Sequence, residues 1–444
     1  MLTALVLAAV GCTAASTSAP AVAGAASAPA GSGAATGPAS GSAIALDRAN
    51  GRGAGSGSLD TAALQAALDA IVSVDGYVGV TMDVAGPTGH WSGSAGMRRV
   101  DAPAPARPGD RTRVASVTKM MVAALVLQEV ERGRWTLDTT VGSVWPGLLA
   151  GHDAVTLRQL LSHTSGAPDY LAVVVGSATT LEELRAAVSR PFTDAELVAD
   201  AHALPWQFDP GSQWSYSNTN YVVLGMLLAR VNGQPLQRLL ERRVFGPAGM
   251  HQTAFATTPR IEGAHLTEYA RLFDGPLVSF ASFDPSVFSG AGAVVSTAED
   301  LDRFQLALSG GRLVSRQLVD LARTPVPAPG NQPGYGLGTY QLLDVCPAPD
   351  GSPQFVHGHD GASFGTFTLS YAAPDGSRRV SLSYTGRPYA APTGIAPFQA
   401  LYLALAQTCP TALPTARQAP GAVAVPAMPT LPDVAAPWLS RLVG

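Results

Sequence analysis

Ser116-Val117-Thr118-Lys119 runs without a break into Met120-Met121-Val122-Ala123-Ala124-Leu125-Val126-Leu127-Gln128-Glu129-Val130, and the rest of the chain is read outward from this stretch. The segment from Met120 to Val130 is apolar nearly all round, the pattern of a helix buried on every side. Ser116 and Lys119 therefore stand at the mouth of a buried helix. Residues three apart on a helical turn share a face, so the hydroxyl and the amine can meet. A helix N-terminus also favours negative charge developing on a nucleophile. A serine needs a neighbouring base, and a lysine of lowered pKa can be one. Taken alone, Ser-x-x-Lys also describes an N-cap serine followed by a solvated lysine. Composition separates the two readings. Lys119 is the only lysine in 444 residues, and the other Lys/Arg positions are all Arg. A merely solvated cation would follow that usage, whereas an arginine cannot accept a proton at any relevant pH.

On either side of this helix the pattern alternates in kind. Leu64, Ala67, Leu68 and Ile71 within Leu59 to Val72 have helical spacing. Tyr77 to Val84 reads as a strand, Gly86-Pro87-Thr88-Gly89 as a turn, and His90 to Arg98 as the hairpin partner. From about 135 to 310 helical segments dominate, with Leu181 to Ser189, Thr193 to His202, Asn220 to Val231 and Pro235 to Val244 as examples. Ser296-Thr297-Ala298-Glu299 reads as a capping box that opens another helix. Strands return at Gly365 to Ala372 and Arg378 to Thr385 around Pro374-Asp375-Gly376, and a last helix covers about Gly394 to Gln407. The order predicts an α+β fold, an antiparallel sheet built from both chain ends and flanked by helices, around a mostly helical insert at about 135–310.

The folded body is expected to span 58–409. Residues 13–57 are dominated by Ala, Ser, Gly, Thr and Pro, which cannot offset ordering entropy by burial, and read as a disordered linker. The tail, 410–444, is again rich in Pro and Ala. Residues 1–12, MLTALVLAAVGC, form a short apolar run that reads as an export leader. It is too short to cross a bilayer as a mature helix. Ala9-Val10-Gly11-Cys12 resembles a bacterial lipobox, with Cys12 as the lipidation site, although such boxes usually carry Leu where this chain has Ala9. The expected location is outside the cell membrane, secreted or lipid-anchored. Cys346 and Cys409, the other two cysteines, then form an even pair expected as a disulfide. With 46% hydrophobic and 14% charged residues the composition is globular. The net charge of −4 and the absence of a basic stripe argue against a nucleic-acid partner.

Two further stretches carry chemistry. Trp214-Ser215-Tyr216-Ser217-Asn218 offers a phenol that can relay a proton and an amide that can bind a substrate amide; a polar loop capping the next helix is the competing reading. His357-Gly358-His359-Asp360-Gly361 raises the question of a metal, because His-x-His with a carboxylate can bind zinc. No third histidine has suitable spacing and no His-Glu-x-x-His occurs, so no metal is expected.

Together these stretches resemble the penicillin-recognising serine hydrolases: class C β-lactamases, serine D-alanyl-D-alanine carboxypeptidases, D-aminopeptidases and β-lactamase-like esterases. Their signature is Ser-x-x-Lys, then Tyr-x-Asn, then Lys-Thr-Gly or His-x-Gly. Ser116–Lys119, Tyr216–Asn218 and His359–Gly361 match it in order, across about 60 to 409. Leu161-Ser162-His163-Thr164-Ser165-Gly166, Phe245-Gly246-Pro247-Ala248-Gly249-Met250 and Ser296-Thr297-Ala298-Glu299-Asp300-Leu301 also look familial. The resemblance implies a site in a cleft between a sheet and a helical domain. Ser116 would be acylated with Lys119 as its base. Tyr216 would pass a proton to the leaving group, assisted by His359. Asn218 would hold the substrate amide, and the backbone N–H groups of Ser116 and Ala362, beside Gly361, would form the oxyanion hole. It implies no cofactor.

The third stretch departs from the pattern. Many relatives have a hydroxyl between His or Lys and Gly that meets a substrate carboxylate, where this chain has Asp360, and Ala362 supplies no hydroxyl either. An ionised Asp360 facing the pocket would repel a free carboxylate. The expected function is a D-alanyl-D-alanine carboxypeptidase-like peptidase acting on cell-wall peptides. A β-lactamase or β-lactamase-like esterase is the alternative on the same scaffold. A non-catalytic penicillin-binding sensor is the alternative of another class.

Overall fold

The computed structural model describes residues 58–73, 76–271, 275–331, 334–346, 348, 350–388 and 395–410. The expected leader with Cys12, the linker, and all but the first residue of the tail lie outside the described residues.

Helix α1 (Thr61–Ser73) buries the Leu64, Leu68 and Ile71 stripe. Strands β1 (Gly79–Gly86) and β2 (Gly89–Arg99) follow as an antiparallel hairpin closed at Gly86 and Gly89. A two-residue strand, β3 (Ala104–Pro105), pairs with β2. The buried helix α2 (Thr118–Glu131) comes next, then the helical block. That block includes Leu181–Ala187, Asp194–His202 and α3 (Thr219–Asn232), the last buried along most of its length and closed by Gly233 in the left-handed region (φ 61°). Helices α4 (Ala298–Ser309) and α5 (Arg316–Arg323) lead back to the sheet. Strands β4 (Tyr340–Leu343), β5 (Phe355–Ala362), β6 (Thr366–Ala372) and β7 (Arg379–Thr385) then precede the last helix, α6 (Ile395–Gln407).

The seven strands run β3-β2-β1-β7-β6-β5-β4, so β1 from the start of the body pairs with β7 from its end. Leu64, Leu68 and Ile71 share one apolar cluster with Val80, Met82 and Val84 of β1 and Phe398, Leu401 and Leu405 of α6. Fully burying such side chains contributes roughly 1.5–3 kcal/mol each, which ties the two chain ends together. Helix α4 meets the sheet through polar side chains. Ser381 Oγ donates to Asp302 Oδ1 at 2.6 Å, and Gln305 Nε2 donates to the Ser370 carbonyl at 3.0 Å. A second, larger cluster fills the helical block and includes both α2 and α3.

Three expectations need correction. His359, Asp360 and Gly361 lie inside β5, not ahead of the returning strands, and β4 was not anticipated. Two small sheets also tie the helical block to the rest of the chain: Tyr269–Arg271 pairs with Val278–Ser279 and with Arg387–Pro388, and Val294–Ser296 pairs with Ala254–Phe255 and with Thr112–Arg113. The cap of α4 is shifted by one residue. Thr297 is the N-cap and accepts from Asp300 N, while the Asp300 carboxylate accepts from Gln252 N and Thr253 Oγ1 instead of closing a reciprocal box.

Candidate active site

Ser116 sits in a single 3₁₀ turn, Ala115–Val117, that feeds directly into α2. Its predecessor Ala115 has φ 45°, in the left-handed region that a side chain disfavours. Strand β5 passes against this turn at Gly361. A Cβ there would lie 2.1 Å from the Val114 carbonyl oxygen and 3.2 Å from Ser116 N. Only glycine permits that approach, which brings Gly361 and Ala362 alongside the backbone of the serine.

Lys119 is fully buried, one turn along from Ser116. Its Nζ has three partners: Ser116 Oγ at 3.0 Å, Asn218 Oδ1 at 2.8 Å and the Ala291 carbonyl at 2.8 Å. As an ammonium it donates to all three. As a neutral amine it keeps two acceptors and turns its lone pair to the Ser116 hydroxyl, the arrangement of a general base. Burial pulls this amine down to about 7, while Asp169 and, after it, Asp360 resist the fall.

Asn218 begins the approach to α3, with its oxygen on Lys119 and its nitrogen donating to Asp169 Oδ2 at 2.8 Å. One amide hydrogen is left for a substrate. Tyr216 lies over the amine, its ring centre 4.9 Å from Nζ. Its phenol oxygen is buried without a hydrogen-bond partner at ordinary distance. Burial pushes this phenol well above its usual pKa, with the nearby Ser116 hydroxyl as the counteracting influence. Tyr216 is therefore a proton holder, not a phenolate base.

His359 is buried and does not contact Ser116 through a hydrogen bond among the described residues. Its Nδ1 lies 2.5 Å from the Asp360 carbonyl, which can only accept, so Nδ1 carries the proton. Nε2 is then an acceptor, and Tyr335 Oη donates to it at 3.1 Å. Burial, with a further push from Lys119, lowers this imidazole to about 3. The ring is neutral, with both nitrogens engaged. Asp360 is buried at 1% exposure, so it does not present itself on an open surface.

Sequence reasoning passed over several parts of this site. Three non-glycine residues have positive φ among the described residues, and all three serve it. Ala115 precedes Ser116. His163 (φ 59°) places its ring 4.1 Å from that of Tyr216. Ser289 (φ 41°) opens the turn Ser289–Gly292, which delivers the Ala291 carbonyl, and its hydroxyl donates to Asp194. Asp169 and Tyr335 were also missed. The phrase Leu161 to Gly166 pointed at the region but gave no role to His163. Cys346, just past the end of β4, and Cys409, just past the end of α6, are joined by a disulfide. Among the described residues no group of three or more His, Cys, Asp or Glu is arranged to hold a metal ion.

Residues 64–383 match the Beta-lactamase family. The chain belongs to that family. Among its relatives, Esterase EstB of Burkholderia gladioli is 32% identical over 337 residues, covering 67% of this chain and 84% of the esterase. The putative penicillin-binding protein PbpX of Bacillus subtilis is 29% identical over 227 residues, and the matched part of this chain spans about half (52%) of PbpX. A D-stereospecific amidohydrolase from Streptomyces sp. superimposes with a TM-score of 0.66 at 31% identity, over 74% of this chain and 95% of that one. The β-lactamase family here comprises serine hydrolases, among them esterases, amidases and penicillin-binding proteins. A buried Ser–Lys pair with a protonated tyrosine above it is chemically suited to that class.

Proposed function

We propose that this chain hydrolyses esters or amides whose leaving group carries no free carboxylate, through an acyl-enzyme on Ser116. Ser116 Oγ attacks the carbonyl carbon as its proton passes to Lys119 Nζ. The oxyanion is received by the backbone N–H groups of Ser116 and Ala362, a kind of contact whose removal typically costs a few kcal/mol. Tyr216 gives its proton to the departing oxygen or nitrogen and recovers one from Lys119. Water then repeats the sequence on the ester, with Lys119 again accepting the proton, and Ser116 is released.

The observation that carries the substrate class is the state of His359. A terminal carboxylate needs a cation, and here the imidazole is neutral with both nitrogens occupied. No arginine is among the charges acting most strongly on Lys119, His163, Tyr216 or His359. The similarity to an esterase and to a D-stereospecific amidohydrolase supports the same reading. The D-alanyl-D-alanine carboxypeptidase reading is favoured instead by the penicillin-binding relatives. Export is part of the proposal, supported by the Cys346–Cys409 disulfide and the apolar run ending at Cys12.

The test is one panel run side by side: p-nitrophenyl acetate, a D-amino-acid amide, nitrocefin and a D-Ala-D-Ala peptide. The expected result is turnover of the first two, abolished by Ser116→Ala. Preference for the D-Ala-D-Ala peptide would replace this reading with the carboxypeptidase. Trapping of penicillin without turnover of any substrate would make the chain a sensor.

A further inference from the structure

Asp169 lies between Gly166 and the short helix Leu171–Val174, and no step above uses it. Its half-buried carboxylate collects three N–H donors. Oδ1 accepts from Leu171 N at 3.0 Å. Oδ2 accepts from Asn218 N at 3.3 Å and from Asn218 Nδ2 at 2.8 Å. An ionised carboxylate only accepts, so the contact requires the amide nitrogen of Asn218 on that side. The amide oxygen is thereby turned to Lys119, where it accepts at 2.8 Å. Reversing the amide would set NH₂ against the amine and carbonyl against carboxylate, two repulsive contacts at once.

We propose that Asp169 is a positioning residue of this site: it fixes the orientation of the Asn218 amide and places a negative charge one side chain behind the general base. The inference rests on Lys119 being that base. The other groups facing Lys119 are Asp360 from β5, the neutral imidazoles of His163 and His359, and the rings of Tyr216 and Tyr221. Of the two acids, Asp169 acts on the amine the more strongly. Desolvation raises the pKa of Asp169 itself, and its backbone and Asn218 donors draw it back toward the carboxylate.

The sole lysine makes the test direct. Protein grown on lysine labelled at Cε gives one lysine side-chain signal, that of Lys119. In the unaltered chain this signal should titrate with a midpoint of about 7. Asp169→Asn keeps an acceptor for the Asn218 amide but removes the charge. Its midpoint should fall by on the order of one unit. The acid limb of kcat/KM for p-nitrophenyl acetate should move to lower pH with it. Asp169→Ala also releases the amide, and should lose more of the plateau rate than Asp169→Asn does. If Asp169→Asn does not fold, Asp169→Ser, an uncharged acceptor, carries the same expectation. Loosened packing alone would wet the amine and raise its midpoint. A rise, or no change, from a wild-type midpoint near 7 overturns the role of Asp169 and leaves the base assignment standing. A wild-type midpoint at the ordinary lysine value overturns both.

Discussion

The two walls of the site are built from the same material, buried polar side chains, yet they are poised oppositely. On the Ser116 wall, Lys119 has three hydrogen-bond partners and two acids acting on it, and its amine is held near 7. On the facing wall, His359, His163, Tyr216 and Tyr335 are all driven to their neutral forms. Two of them have a bare buried polar atom, Tyr216 Oη and His163 Nε2. Desolvation acts on both walls in the same sense. The same two acids, Asp169 and Asp360, act on Lys119 and on Tyr216; at the amine their charge offsets desolvation and leaves that group able to change state, whereas at the phenol it adds to desolvation in holding the proton. In the proposed mechanism one wall accepts a proton, and the other holds one.

Removing the held proton is the sharpest way to break this comparison. Tyr216→Phe should lower amide turnover by about 10²–10⁴, the usual worth of general acid catalysis, while sparing p-nitrophenyl acetate, whose leaving group needs no proton. Equal losses on both substrates, measured as kcat/KM, would mean that the ring, not the phenol, matters. Tyr335→Phe should have a smaller effect on rate. It strips His359 Nε2 of its donor and leaves a buried acceptor unpaired, at a cost of about 1–3 kcal/mol read by chemical denaturation. The smallest catalytic effect is expected from replacing both Cys346 and Cys409 with Ser. Loss of that link should reduce stability by about 2–4 kcal/mol with kcat/KM unchanged.

What was legible in the sequence follows from where the signals are local. The hairpin around Gly86 to Gly89, helix α2 and the turn between β6 and β7 announce themselves through period and turn residues. Strand β5 does not. Phe355 to Ala362 carries Gly358, Asp360 and Gly361, residues depleted in strands, and its conformation comes from pairing with β4 and β6. The Ser116–Lys119 pair was readable because a single lysine stood against a background of arginine. Asp169 and the Ala291 carbonyl were not, because one acts through another side chain and the other is backbone. Their roles exist only once Asn218 and Lys119 are brought together across a sequence separation of 99 residues.

The central claim is that Lys119 takes the proton from Ser116. Replacing it with arginine keeps the charge and roughly the volume but removes the ability to accept a proton. Acylation should be followed by intact-mass spectrometry with a fluorophosphonate or labelled penicillin, the adduct being mapped to the Ser116 peptide. Wild-type acylation should weaken below about pH 7 as the amine is protonated. Lys119→Arg should be slower by at least about 10²–10⁴ at neutral pH. Acylation of Lys119→Arg within a few-fold of wild type would place the base elsewhere and contradict the mechanism.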